Sequence, residues 1–181
     1  GGSSDYMRTL ATYSRPLTVT FKARKAAGSD ECVAFQIFPQ SSARHTGYNF
    51  GFGWWAHYQG AGIDGSIDRY GADGTISDFQ EYKAVLTTDT VTFYRNGQEF
   101  WSRADNRYQS GQIMIGHSCR KWQVEEVSIE GAMIGDGHGN INANDWDLSG
   151  VSLSNGVATS NVNGGPSDYQ RTLATYSRTL T

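Results

Sequence analysis

Residues 91–101 read Val-Thr-Phe-Tyr-Arg-Asn-Gly-Gln-Glu-Phe-Trp, and this stretch decides the class of the fold. Asn-Gly between β-branched and aromatic residues is the strongest short-range hairpin signal, because both central residues of the tight turn need a positive φ. Strand signals recur on either side of it. Phe79 to Leu86 and Thr90 to Tyr94 lie upstream; Gln112 to Gly116 and Gln123 to Ile129 lie downstream. From Leu17 to Arg24 the alternation is clean, with Leu17, Val19, Phe21 and Ala23 on one side and Thr18, Thr20, Lys22 and Arg24 on the other. That is the period of a half-buried strand. Glu31 to Phe38 is apolar and β-prone until Pro39 stops it. Tyr48, Phe50 and Phe52 share one face of an aromatic strand whose other face carries Asn49, Gly51 and Gly53. Gly60 to Gly74 reads as a loop region with turns at Asp64-Gly65 and Asp73-Gly74. Nowhere do apolar residues recur at helical spacing. The prediction is an all-β chain of about ten to fourteen short strands, packed as a two-sheet antiparallel β-sandwich.

The two ends of the chain repeat each other. Residues 1–18 read GGSSDYMRTLATYSRPLT and residues 164–181 read GGPSDYQRTLATYSRTLT, an offset of 164 − 1 = 163 residues with three differences, at Ser3/Pro166, Met7/Gln170 and Pro16/Thr179. Scattered differences mark two diverged copies of one repeat. The expectation is a tandem array, with residues 1–163 forming one period and a single sandwich, and residues 164–181 opening the next. The Asx- and Gly-rich run Asp136 to Asp147 and the strand-like Trp146 to Ala158 place the sandwich's own start near 140–146, so the sequence is permuted relative to its fold. The segment Ser4 to Thr18 occupies one groove or sheet position, and its copy fits the same position. Asp168, Tyr169, Arg171, Leu173, Tyr176 and Leu180 are then candidate donors of a strand to a neighbouring repeat or molecule, a head-to-tail exchange that builds filaments. The bland reading is a boundary that merely falls past the repeat junction.

One period of this length buries a sizeable core. Aromatic residues make up 13% and charged residues 18%, and the net charge is −3. That balance gives no electrostatic footprint for nucleic acid, and no apolar run approaches the length of a membrane span, so membrane insertion is not expected. Cys32 and Cys119 allow one disulfide, which suits an extracellular or cell-surface protein, or else two buried thiols.

Residues 91–101, followed by Ser110-Gly111-Gln112-Ile113-Met114-Ile115-Gly116 and the strand through Val124, Val127 and Ile129, resemble the concanavalin A-like superfamily, particularly laminin G-like and related lectin-type jelly rolls. Trp146 to Ala158 resembles the opening strand of such a domain. The likeness covers roughly Leu17 to Glu130 and Trp146 to Asn163, and it implies a jelly-roll fold more than a function. The catalytic pattern of the family 16 glycoside hydrolases is missing: adjacent Glu125 and Glu126 on a strand are expected to point to opposite faces. The Gln-Ile-His strand of alginate lyase-like members is also missing, since Gln36-Ile37 is followed by Phe38.

Two constellations remain. Trp54, Trp55, His57 and Tyr58 form an aromatic platform on which sugar rings stack, with Asp64 and Asp68 near in sequence to bond hydroxyls; alternatively these rings fill the sandwich or line a subunit contact. Asp136, His138, Asn140, Asn142 and Asp145 mimic the every-second-residue oxygen supply of a Ca2+ loop, although Ile141 stands where such a loop wants glycine. The function expected is a non-catalytic, extracellular, lectin-like repeat module that binds glycans or neighbouring repeats in an adhesive or matrix protein. A purely structural filament subunit is the alternative, and a polysaccharide-degrading enzyme comes third.

Overall fold

The computed structural model describes residues 5–25, 33–41, 46–54, 58–72, 77–118, 122–134, 146–149, 151–154 and 157–160. Fifteen strands form, in order β1 (Asp5–Thr9), β2 (Thr12–Lys25), β3 (Val33–Ile37), β4 (Tyr48–Trp54), β5 (Tyr58–Ile63), β6 (Ser66–Ala72), β7 (Gln80–Leu86), β8 (Thr90–Arg95), β9 (Gln98–Ala104), β10 (Ser110–Gly111), β11 (Ile113–Ser118), β12 (Trp122–Ile134), β13 (Trp146–Ser149), β14 (Val151–Ser154) and β15 (Val157–Ser160). A seven-stranded sheet runs β13-β1-β11-β3-β4-β5-β6, and an eight-stranded sheet runs β14-β15-β12-β2-β7-β8-β9, with β10 beside β2. All pairings are antiparallel. The Asn96-Gly97 turn joins β8 to β9, with φ of 49° and 76° at its two central residues.

Two elements differ from the sequence reading. Gly60 to Ala72 is not a loop: β5 and β6 pair through it, turning at Asp64-Gly65, while Asp73-Gly74 lies outside the described residues. Glycine at Gly60 and Gly62 removes the apolar-polar contrast on one face, so the period of two is invisible there. Trp146 to Ala158 is three short strands rather than one, β13 in one sheet and β14 and β15 in the other.

The sheets meet over aromatic rings. Phe21 of β2 packs on Phe35 of β3 at 4.3 Å between centroids, Phe50 of β4 stacks on Phe93 of β8 at 4.3 Å, and Phe93 stacks on Trp101 of β9 at 5.1 Å. Tyr82 of β7 stands within 6.4 Å of Phe21, Phe35, Phe50 and Phe52. All of these rings are buried, and each stacked or tilted pair adds about 1 kcal/mol beyond the area it removes from water. At the open edge, Asp68 of β6 accepts from Trp101 Nε1 at 3.3 Å and from Arg103 Nη2 at 3.2 Å, and Arg95 Nη1 donates to Gln59 Oε1 at 3.1 Å. The two edge strands β6 and β9 are thereby tied across the sandwich.

One end of the sandwich is closed by a polar network that no local sequence signal announces. Arg15 Nη2 donates to Tyr48 Oη at 2.6 Å, and the guanidinium also reaches the carbonyls of Tyr108, Thr87 and Thr90. Tyr48 Oη donates to Asp105 Oδ1 at 2.8 Å and accepts from the Tyr108 amide at 3.3 Å. Arg107 bridges Asp105 and Asp64 at 2.9 and 3.2 Å, and Tyr108 Oη donates to Asp64 Oδ2 at 2.5 Å. Asp64, with φ of 51°, caps the adjacent turn by accepting from the Gly47 amide at 2.9 Å.

This network sets a pH window. Burial pushes the Tyr48 hydroxyl up to about 12 from 10.0, the Tyr108 amide working against the shift and Asp105 adding to it. Burial alone would raise the Asp105 carboxyl, but the Arg107 amide, the Tyr48 hydroxyl and the Arg107 guanidinium outweigh it and hold it below its ordinary value. A raised tyrosine contributes stability that is complete below the unfolded pKa near 10 and lost as pH rises through about 12. A lowered carboxylate contributes stability that is complete above its unfolded value near 3.8 and lost as pH falls through the folded value. Tyr48→Phe is expected to cost about 2 kcal/mol at neutral pH, because Asp105 and Arg15 each lose a buried partner, and to weaken the alkaline loss of stability. Denaturant midpoints measured across pH for both proteins check this; an unchanged alkaline limb in the variant contradicts it.

Candidate functional site

The seven-stranded sheet has an outer face, turned away from the rings, and pairing register fixes what stands on it. One row runs Arg8–Met114–Gln36–Asn49–Gly62–Ile67 across β1, β11, β3, β4, β5 and β6, and the next runs Tyr6–Gly116–Ala34–Gly51–Gly60–Arg69. β13 extends both rows, setting Asp147 opposite Arg8 and Ser149 opposite Tyr6. The rows between them, through Met7, Ile115, Phe35, Phe50 and Ala61, face the core.

The middle of this outer face is closed to solvent. Ala34, Gln36, Asn49, Gly51, Gly60, Gly62 and Met114 are all buried, although none faces the aromatic core. Gln36 and Asn49 sit side by side in register and are 0% exposed. Gln36 Oε1 accepts from the Thr46 amide at 3.2 Å, and Asn49 Nδ2 donates to the Gly47 carbonyl at 2.8 Å. Their other amide atoms, Gln36 Nε2 and Asn49 Oδ1, are buried without a hydrogen-bond partner. An unmatched buried donor and acceptor side by side is an uncommon and costly arrangement, and together they are complementary to one hydroxyl that donates to Asn49 and accepts from Gln36. Next to them Gly51, Gly60 and Gly62 leave the floor without side chains. Asn49 and Gly51 share one strand face in the sequence pattern, whereas Gln36 comes beside Asn49 only through the register of β3 on β4, a tertiary fact.

The predicted aromatic platform is only partly described. Trp54 and Tyr58 are cross-strand partners at the end of the β4–β5 hairpin, while Trp55 and His57 lie outside the described residues. The two acids expected to accompany them stand elsewhere. Asp64 is at the opposite end of β5 from Tyr58, roughly 20 Å away at about 3.3 Å per residue, and serves the Tyr108 and Arg107 network. Asp68 stands on a core-side row opposite Ala61 and holds Trp101 and Arg103. Sequence proximity therefore grouped residues that the β5–β6 hairpin separates.

The carboxylates of β12 also differ from expectation. Between Glu125 and Ser128, β12 carries one residue more than β2 opposite it, and Glu126 takes φ of 51°. This bulge puts both Val124 and Val127 in the core, so Glu125 and Glu126 both lie off it instead of on opposite faces. Glu126 pairs with Lys22 Nζ at 2.6 Å on the surface.

Among the described residues no group of three His, Cys, Asp or Glu is placed to hold a metal ion. The predicted Ca2+ loop from Asp136 to Asp145 and the predicted donor segment from Asp168 to Leu180 lie outside the described residues.

No protein-family model and no curated protein matches the chain. Solved structures do. The carbohydrate binding module CBM66 from Bacillus subtilis is similar with a TM-score of 0.51 at 12% identity, over 72% of this chain and 83% of that one. CG-16, a homodimeric agglutinin from chicken liver, is similar with a TM-score of 0.50 at 13% identity, over 68% of this chain and 98% of that one. Congerin II in its lactose- and MES-liganded form gives 0.50 at 9% identity, over 71% and 100%. At these identities the likeness is one of architecture: the chain has the concanavalin A-like jelly-roll fold, two antiparallel sheets packed as a sandwich.

Proposed function

We propose that this chain is a non-catalytic, extracellular carbohydrate-binding module that takes a glycan segment on the outer face of its seven-stranded sheet. The observation that carries the reading is the in-register pair Gln36 and Asn49, whose free Nε2 and Oδ1 are matched to a sugar hydroxyl beside a glycine floor. The fold shared with a carbohydrate binding module and a lactose-liganded protein supports it. Trp54 and Tyr58, cross-strand partners at the end of the β4–β5 hairpin, are the aromatic residues of the same strands that a sugar ring is proposed to meet. Because the two amides are out of water, each bond made to them is stronger than one on an exposed surface.

The extracellular setting draws on the cysteines. In the sequence Cys32 directly precedes β3 and Cys119 directly follows β11, two strands that pair antiparallel with Ala34 opposite Gly116. Both cysteines themselves lie outside the described residues. Intact-mass analysis under alkylation without reductant is expected to find no free thiol; two alkylated cysteines in protein secreted through an oxidising compartment contradict the disulfide.

Binding is checked by a glycan array followed by calorimetry on the best glycan. Asn49→Ala is expected to weaken affinity about tenfold, the value of one lost hydrogen bond in a dry site, and Trp54→Ala to weaken it comparably. Binding to no glycan, or wild-type affinity in both variants, overturns the reading.

A further inference from the structure

We infer that the copied segment 164–181 is an interchangeable substitute for the β1–β2 corner, able to follow β15 into the slot that residues 5–18 fill. The inference is independent of glycan binding and starts from what the first copy does. Thr9 Oγ1 accepts from the buried Ile113 amide at 3.0 Å; Tyr13 and Leu17 are in the core; Arg15 anchors the Tyr48 network. Every one of these residues recurs in the second copy, as Thr172, Tyr176, Leu180 and Arg178. The copy therefore retains the side chains that fit this one slot, between β13 and β11 in one sheet and between β12 and β7 in the other. It departs at Met7, which is 0% exposed and becomes Gln170, and at Pro16 of β2, which becomes Thr179.

The topology permits either copy to fill the slot. β13 lies beside β1 with Trp146 opposite Thr9, and β12 ends at Ile134 opposite Thr12, so the chain leaves β12 and enters β13 at the same corner. At the other end, β15 reaches Thr159 opposite Gln123, while β1 starts at Asp5 opposite Ser118; Ser118 and Trp122 are joined by three residues. Ser160 thus ends near where β1 begins. The seven residues 161–167 before Asp168 span up to about 26 Å, well beyond the roughly 10 Å between stacked sheets and about 5 Å between strands. The order β13-β14-β15-β1-β2 can therefore be threaded without a break, and the unit of the array runs from Trp146 of one repeat to Ile134 of the next. Leu10, 55% exposed and the large hydrophobic side chain left bare among the described residues, sits at the Thr9–Thr12 corner beside the end of β12 and the start of β13, which fits it for contact with an adjoining unit.

The test uses the full chain. Tyr13→Asp puts a carboxylate into the core and disables the first corner. If the tail substitutes, the variant still unfolds cooperatively on heating, at a lower midpoint because Gln170 takes the place of buried Met7. Adding Gln170→Met is then expected to raise that midpoint, while the same change in the parent leaves it unmoved. Tyr13→Asp with Tyr176→Asp is expected to show no cooperative transition. Sedimentation reads whether the tail acts within its own molecule, giving monomers, or in a neighbour, giving chains, and either supports the substitution. Loss of the transition in Tyr13→Asp alone, or a midpoint indifferent to Gln170→Met in that background, overturns it.

Discussion

Everything in this molecule depends on two sheets closing over one continuous stack of rings. Phe35, Phe50 and Phe52 from one sheet and Phe21, Tyr82, Phe93 and Trp101 from the other leave no room for a one-residue slip, since a slip sends a whole strand's rings to the outer face. The inner rows being fixed, the outer rows are fixed too. Gln36 stands beside Asn49, and glycines stand beside both, because Phe35 must meet Phe50 one position away.

That dependence explains the division of polar residues. Where polar side chains close the sandwich, their capacity is spent: Tyr48 joins Arg15, Asp105 and the Tyr108 amide, and Asp68 joins Trp101 and Arg103. Such satisfied networks pin the ends and edges of a sheet pair that aromatic packing alone would leave free to shear. On the outer face capacity is left over. Unmatched Gln36 Nε2 and Asn49 Oδ1 stabilise nothing within the chain, and a buried polar atom without a partner costs about 1–3 kcal/mol. Their retention makes sense if a ligand completes them.

Much of the architecture was legible in the sequence. The alternation at Leu17, Val19, Phe21 and Ala23 named four core residues of β2, and Tyr48, Phe50 and Phe52 named the face of β4 that meets them. Asn96-Gly97 located the β8–β9 turn. What failed did so for physical reasons. β5 was hidden because glycine carries no hydropathy contrast, and the Glu125–Glu126 geometry was misread because a bulge breaks the period of two without a glycine or proline to announce it. The candidate site was legible only in fragments. Grouping Asp64 and Asp68 with Trp54 and Tyr58 relied on closeness in sequence, which a hairpin reverses, whereas Gln36 and Asn49 are thirteen residues apart and meet only through register.

The repeat ties the two halves of the account together, since a module that binds a polymer gains by avidity when units are strung in a row at a fixed spacing. The proposed binding nonetheless needs only one face of one unit. The most direct measurement is a nuclear magnetic resonance titration that follows the side-chain amide signals of Gln36 and Asn49 as a bound glycan is added. The expected result is that both signals shift together and saturate with the calorimetric affinity. Shifts confined to other residues, with these two amides unmoved at saturation, would contradict it.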